Sequence, residues 1–317
     1  MELKNYKEGD EHKIVELFEL VFKQEMTLDH WYWRFSKNPA GNHLIKLMWD
    51  GDQLIGHYAV STIMVNVNGE EVLTAHSLTT MTHPDYGGRG IFKTLSLELY
   101  KELEEDKGCK AIWGFPNNNS HGGFIKSLGW SNIAVIHTMG IKASNIPTRE
   151  NRSKIVSLKA FDQSHADFVK NRENQKSSVF VSKSLNYLNW RYVSKPDVDY
   201  KKFEIKVGDS IKGVIITKIY PSTLPNHYDL NIVECIIDDY DYLHKCLNQI
   251  MEEYNLPFDR VTIWKNLFDT NHLLLEKNGF IHVLPQTYFG ARIHSSMPLE
   301  FSEYKNWDIA MGDSDVY

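Results

Sequence analysis

The apolar residues of the first half of the chain alternate between two periods. Ile14, Leu17, Phe18, Val21 and Phe22 fall three and four apart, the spacing that lines one face of a helix, and Asp10 stands where an N-cap belongs. Leu28 to Phe35 predicts a second helix, dense in aromatics and stopped before Pro39, since proline pushes its predecessor out of helical conformation. Leu44 to Trp49 and Ile55 to Val67 read as strands joined at Asp50-Gly51-Asp52, and Asn68-Gly69 turns the chain into a third strand, Leu73 to Thr82. Three strands with tight turns predict an antiparallel meander. Helical spacing resumes over Ile91, Leu95, Leu97, Leu99 and Leu103 and ends near Lys107-Gly108. Lys110 to Phe115 is then a short buried strand. Asn118 to Leu128 is a helix weakened by Gly122-Gly123, and Ile133 to Ile141 is a further strand.

Between the third strand and the helix that begins at Ile91 lies Pro84-Asp85-Tyr86-Gly87-Gly88-Arg89-Gly90. Without Cβ a glycine takes φ > 0 freely, so three glycines let backbone N–H groups converge on one point. The helix N-terminus adds its own unpaired N–H groups and a positive dipole end. A phosphate cradle is the expectation, with Arg89 offering its backbone and a side chain able to reach a phosphate. The alternative for Arg89 is an exposed turn arginine.

The second half repeats the first. Trp33-Arg34-Phe35 with Pro39, Gly51-Asp52 and Gly56 recurs at identical separations as Trp190-Arg191-Tyr192 with Pro196, Gly208-Asp209 and Gly213. Ile112-Trp113 followed by Leu128-Gly129-Trp130 reappears, offset by one residue, as Ile263-Trp264 followed by Asn278-Gly279-Phe280. The glycine turn does not recur. In its place stands Cys235 to Leu243, where Asp238, Asp239 and Asp241 would repel a pyrophosphate. The pattern predicts a tandem duplication with one cofactor site: an N-terminal domain over 1–145, a polar linker at Ser144 to Lys154, and a degenerate second domain over 155–317.

Composition narrows the function classes. The 317 residues are 42% hydrophobic, enough for one large or two medium cores, and the net charge of -6 supplies no basic excess for a nucleic-acid partner. Cys109, Cys235 and Cys246 lack CxxC or CxxH spacing, so the cysteines give no metal framework and suit a reducing compartment. The charged N-terminus has no apolar signal core and no apolar run reaches membrane length. The expectation is a cytoplasmic protein with no metal and no membrane partner, its oligomeric state undetermined.

The strand, His83-Pro84-Asp85-Tyr86, glycine turn, helix, strand, and helix ending in Leu128-Gly129-Trp130 resemble the GNAT superfamily of acyl-CoA-dependent N-acyltransferases. That family's loop is written Gln/Arg-x-x-Gly-x-Gly/Ala. Here it reads Gly87-Gly88-Arg89-Gly90-Ile91-Phe92, so the central Gly90 fits while Gly87 replaces a polar residue and Phe92 a small one. The resemblance implies a mixed, mostly antiparallel α/β (α+β) fold flanked by helices. It also implies acetyl-CoA or another short-chain acyl-CoA as co-substrate, held by Gly88, Arg89, Gly90, Ile91 and Phe92. Asn118 matches the asparagine that meets the pantetheine arm in that fold, and backbone N–H groups near Met81 and Thr82 would pair with pantetheine where the third strand splays from the Lys110 to Phe115 strand. The doubled arrangement, the Phe115 to His121 run and the Trp-Arg-Phe motif resemble amino-sugar N-acyltransferases. The implied acceptor is the primary amine of a nucleotide-linked amino sugar used in surface-polysaccharide biosynthesis.

Catalytic groups are harder to place. The family's base glutamate falls near Ser77, which cannot serve as one; neighbouring His76 titrates in the right range and is the candidate base, with a histidine packed in the sheet as its alternative. Alternation puts His76 and Ser77 on opposite faces unless a bulge intervenes. The family's acid tyrosine falls at Ile125, so His121, one turn earlier, is the candidate replacement, against a solvent-facing histidine at a helix start. Trp31, Trp33, Trp49 and Trp113 read as core rather than as stacking platforms. The acidic stretch at Asp313, Ser314, Asp315 and Tyr317 either frays or docks and supplies a base. Competing functions are a protein or aminoglycoside acetyltransferase, an aminoacyl-tRNA-dependent ligase, disfavoured by charge, and an acyl-CoA-binding sensor without chemistry.

Overall fold

A computed structural model describes residues 1–41, 44–149, 153–176 and 178–317. Within the expected linker, residues 150–152 lie outside the described set. In chain order the elements of the first half are β1 (Glu2–Asn5), α1 (Glu11–Phe22), α2 (Leu28–Phe35), β2 (Leu44–Asp50), β3 (Gln53–Val67), β4 (Glu70–Thr82), α3 (Ile91–Glu105), β5 (Ala111–Gly114), α4 (Asn118–Ser127) and β6 (Ser131–Lys142). The second half gives β7 (Lys154–Leu158), α5 (Gln163–Lys176), β8 (Val179–Val181), α6 (Leu185–Tyr192), β9 (Lys201–Val207), β10 (Ser210–Pro221), β11 (Tyr228–Ile237), α7 (Tyr240–Glu252), β12 (Phe258–Trp264), α8 (Thr270–Lys277), β13 (Ile281–Ile293) and β14 (Trp307–Asp308). The periodicity of the first half thus produced the elements it predicts, with ends differing by a few residues. Leu97 is the exception on α3: it lies off the stripe formed by Ile91, Leu95, Leu99 and Leu103 and is exposed.

The chain divides into two compact units. The first comprises Met1–Ala134, Ser194–Asp197 and Tyr288–Ser302; the second comprises Val135–Val193, Val198–Thr287 and Glu303–Tyr317. Each unit therefore takes a strand segment from the other half of the sequence. Gly290 to Ile293 of β13 pair antiparallel with β5 in the first unit, and Thr138 to Lys142 of β6 pair antiparallel with β12 in the second.

In the first unit β1, β2, β3 and β4 form the antiparallel meander and β5 joins β4 in parallel. Asn68 (φ 54) and Gly69 (φ 92) make the β3–β4 turn with the two positive φ values that match strand twist. One apolar cluster lies under α1 and α2, where Ile14, Leu17, Trp31 and Phe35 meet Leu47, Ala59, Leu78 and Met81. The other joins α3 and α4 to Tyr58, Val60 and Ala75. Trp31, Trp33 and Trp113 are buried, as core tryptophans should be. Gly56 is required for this layering: a Cβ there would stand 2.4 Å from Cγ2 of Ile91, the residue that starts α3.

The second unit orders β12, β11, β10, β9 and β7, with β11 and β12 parallel and the others antiparallel. Its core gathers Phe203, Ile215, Leu230, Ile232, Leu243, Leu247 and Ile263. The C-terminal stretch neither frays nor stays in solvent. Arg191 donates to the main-chain oxygens of Gly312 (3.1 Å), Ser314 (3.0 Å) and Tyr317 (2.6 Å), and Asp313 is buried 3.7 Å from Lys183.

Candidate functional site

The site of the first unit is built from an interruption in β4. His57 pairs with Met81 and Ala59 with Leu78, so Thr79 and Thr80 together oppose Tyr58. That is a β-bulge, the device by which a strand bends and re-aims its groups. Thr79 takes φ 52, unusual for a β-branched residue, and His57 holds it there through a 2.7 Å hydrogen bond from Nδ1 to the Thr79 carbonyl. Burial pushes the His57 imidazole down to about 4, so at neutral pH it is an uncharged donor. In the sequence His57 carries no signal beyond being a histidine inside an otherwise apolar strand.

Just before the bulge the sheet opens. The parallel pairing of β4 with β5 runs over Ala75–Ile112 and His76–Trp113; β5 ends at Gly114 while β4 continues to Thr82. Gly114 permits the last close approach, since an added Cβ would stand 3.1 Å from the Ser77 carbonyl. His76 is buried at this fork, stacked on Trp113 (4.8 Å, 16°) with Phe115 edge-on at 5.8 Å. Phe289 completes the aromatic wall by stacking on Phe115 at 5.4 Å.

Ser77 is half-buried, and its hydroxyl terminates a buried chain. Tyr58 Oη lies 2.8 Å from Ser77 Oγ and 3.1 Å from Tyr100 Oη, to which Trp130 Nε1 donates at 3.0 Å. An indole can only donate, so the chain starts from a fixed donor. Burial pushes the Tyr58 phenol well above its ordinary value and Tyr100 up to about 12, and both stay protonated. Neither tyrosine carried a sequence signal, because partners 19, 42 and 30 residues apart meet only in the fold.

Past β4 the glycine turn is exposed. Gly88 (φ 76) and Gly90 (φ 77) adopt the left-handed region, and Gly90 precedes α3 with no side chain capping the helix. The first-turn N–H groups of α3 are therefore open to an anion. The corresponding start of α7 differs: the Asp239 carboxylate accepts from the Asp241 N–H, occupying that position with negative charge. Arg89 folds back, its guanidinium 4.6 Å from the Tyr86 ring centre and its Nη2 3.4 Å from the Asp85 carbonyl. Ile91 is buried and Phe92 half-buried, packed on Phe124 at 5.1 Å. Gly123 makes room for that ring, which a Cβ would approach to 3.1 Å, so the large residue at position 92 is accommodated by the glycine pair of α4.

The remaining expected residues are placed as follows. Met81 is buried under α1 and α2 and Thr82 is half-buried at the strand end. Asn118 is exposed in the first turn of α4, whose cap is the preceding Asn117, accepting from the N–H groups of Asn119 and Ser120. His121 bonds through Nε2 to Asn132 Oδ1 at 2.7 Å and stacks on Tyr288 at 4.0 Å, so it is not an unattached solvent-facing side chain.

Residues 2–133 match the sequence model described as Acetyltransferase (GNAT) domain. This likeness lies in the first half of the chain. No curated protein sequence gives a significant match. Solved structures extend the fold likeness beyond this domain. A GCN5-related N-acetyltransferase from Anabaena variabilis ATCC 29413 superposes with a TM-score of 0.73 at 13% identity, covering 92% of this chain and 73% of that one. A conserved protein of unknown function from Enterococcus faecalis V583, described as a probable N-acyltransferase, gives 0.72 at 16%, with 92% and 72% covered. A GCN5-related N-acetyltransferase from Kribbella flavida gives 0.67 at 12%, with 92% and 70% covered. At these identities the likeness is one of fold. Among the described residues no helix is long and apolar enough to cross a membrane.

Proposed function

We propose that the chain is an acyl-CoA-dependent N-acyltransferase, moving an acetyl or other short acyl group to a primary amine at the fork of β4 and β5. The observation that carries this reading is the order fork, bulge, uncapped glycine turn and helix along one stretch of chain. A thioester arm laid along β4 would bring its pyrophosphate to Gly88, Arg89 and Gly90 and its carbonyl towards Ser77. Arg89 would leave Tyr86 to meet the phosphate, and Asn118 would face the pantetheine arm.

In this reading the amine nitrogen attacks the thioester carbonyl, the C–N bond forms, and collapse of the tetrahedral intermediate breaks the C–S bond. Ser77 Oγ–H, supplied with a donor from Tyr58 behind it, points its proton at the oxyanion. A preorganised donor of this kind is worth about 10²–10³-fold in rate. His76 is buried against Trp113 on the face of β4 opposite Ser77, since the bulge falls beyond both residues, so the proton that the amine loses passes to water, and His121 with Asn132 is the candidate source of the thiolate's proton. Orientation of the two reactants supplies roughly 7–11 kcal/mol, more than any single side chain.

The acceptor we favour is a nucleotide-linked amino sugar. This reading rests on the doubled arrangement and the Phe115 to His121 run, since His76, Trp113 and Phe289 are buried against one another and only Phe115 of the aromatic wall is partly exposed. The second half is read as a duplicated, degenerate GNAT-like domain over 155–317. Its element order and parallel β11–β12 pair follow those of the first half, and its α7 start is closed by Asp239.

Incubation with acetyl-CoA and a panel of amino-sugar nucleotides, read by free-thiol release, tests the function. Thiol release that depends on one of these acceptors is the expected result. Tight CoA binding without thiol release above hydrolysis would overturn catalysis in favour of a sensor. Release with aminoglycosides alone would overturn the acceptor class.

A further inference from the structure

The second unit contains a cluster of imidazoles that the acyl-transfer reading leaves unused. His272 lies on α8, Glu276 one turn further along the same face, and His282 on β13, and their donor atoms all lie within 4.8 Å of one another. His272 is buried, and its Nδ1 stands 3.2 Å from the Lys265 carbonyl. A carbonyl only accepts, so Nδ1 carries the proton and Nε2 presents its lone pair. That lone pair faces His282 Nε2 at 3.3 Å and a Glu276 carboxylate oxygen at 3.6 Å. His137 on β6 stacks against the His282 ring at 5.0 Å and 18°, fixing its plane.

The first unit shows what this arrangement looks like as an ordinary hydrogen-bonded pair. There His121 of α4 meets Asn132 of β6 at 2.7 Å and stacks on Tyr288. An amide can satisfy an imidazole outright. In the second unit the amide's place is taken by a second imidazole and the tyrosine's by His137. Glu276 stands four residues after its histidine where Ile125 stands in the first unit. Two imidazole nitrogens and a carboxylate converging on one point are a metal donor set. Two nitrogens each about 2.0–2.1 Å from one tetrahedral zinc are held about 3.3–3.4 Å apart, close to the spacing of His272 and His282.

We propose that His272, His282 and Glu276 form a zinc site, with Nε2 of each histidine and one Glu276 oxygen as ligands and water in the fourth position. The Lys265 carbonyl and His137 are its outer shell, orienting the two rings. The ion ties α8 to β13. Because Glu276 and His282 are exposed, it exchanges with solution zinc. This departs from the expectation of no metal, which rested on cysteine spacing; a His-x₃-Glu-x₅-His run does not resemble the common cysteine-rich zinc patterns. The proposal does not depend on the acyltransferase reading.

The test uses the full, untagged chain stripped with EDTA and titrated with Zn²⁺ by calorimetry, then with Co²⁺ by visible absorption. The expected result is one zinc per chain, a tetrahedral Co²⁺ spectrum without thiolate charge-transfer, and a Tm that rises with free zinc. His282→Asn and Glu276→Gln, both at exposed positions, should each weaken uptake by at least about tenfold while matching the metal-free wild type in circular dichroism and Tm. No uptake by the wild type, undiminished uptake in both variants, or a thiolate band would each overturn the assignment.

Discussion

The Tyr58 hydroxyl lies 2.8 Å from the Ser77 hydroxyl, joining a buried chain from Trp130 and Tyr100 to a half-buried oxygen at the fork of β4 and β5. A serine is a poor base. With the neutral Tyr58 phenol donating to its oxygen, the direction that the proposed mechanism requires, it would become a directed donor, because hydrogen bonds in series polarise one another.

Ser77→Ala should therefore lower kcat by about 10²-fold with little change in the acyl-CoA KM. Tyr58→Phe acts through Ser77 and should cost about tenfold or less, together with about 1 kcal/mol of stability from the lost buried hydrogen bond. Steady-state kinetics with thiol detection and chemical denaturation check both. Equal kinetic effects of the two variants would place Tyr58 in direct contact with substrate.

Gly90→Asp should abolish the cradle without filling any space, since a Cβ at Gly90 meets nothing within 4 Å. Two effects act: the strain of φ 77 on a side-chain-bearing residue, and a carboxylate placed as Asp239 is placed before α7. About 1.4 kcal/mol of lost phosphate binding is tenfold in Kd. Calorimetry with CoA should show at least about that loss, while the amine acceptor binds as before.

His57 sets an acid limb on stability. Its folded-state pKa of about 4 lies below the ordinary 6.5, so between these values the unfolded chain binds the extra proton. Its stabilising contribution is complete above about pH 6.5 and is lost as pH falls towards 4, by about 3 kcal/mol in total. His57→Gln keeps a donor for the Thr79 carbonyl but does not titrate. Urea midpoints from pH 4 to 7 should be flatter in the variant.

Glu173 produces the opposite limb in the second unit. It is buried beside Lys183 (3.2 Å), and desolvation pushes its carboxyl up to about 7. The folded state here holds the proton more tightly than the unfolded chain. Stability is full below about pH 4.5 and declines as pH rises to about 7, by up to about 3 kcal/mol. Glu173→Gln should remove that decline in the same urea series, whereas a parallel shift at every pH would mean that Glu173 titrates normally.

Arg191 anchors the C-terminal stretch through three main-chain oxygens and the Tyr200 hydroxyl, at 2.6 Å. Lysine keeps the charge but has no planar fork to reach them together. Arg191→Lys should free Gly312 to Tyr317, seen as rapid proteolytic trimming, and lower stability by about 3 kcal/mol or more.

Local periodicity determined much of this protein. The α2 helix, the β2–β4 meander and the helix opening at Ile91 follow from residues a few positions apart, whose faces must be apolar to be buried and whose turns need Gly or Asn at positive φ. The glycine turn was legible for the same reason, as backbone freedom is written in the residue type. Short-range pattern could not show that β6 and β13 each lend residues to the unit of the other half, since strand pairing has no local signature. The bulge held by His57, the Trp130–Tyr100–Tyr58–Ser77 chain, and the convergence of His272, Glu276 and His282 likewise arise between residues whose meeting is enforced only by packing. The residue types alone marked the glycine turn as a stretch where backbone N–H groups can converge; tertiary structure decided which side chains stand beside it, because hydrogen bonds and ligand sets depend on distances that the folded backbone creates.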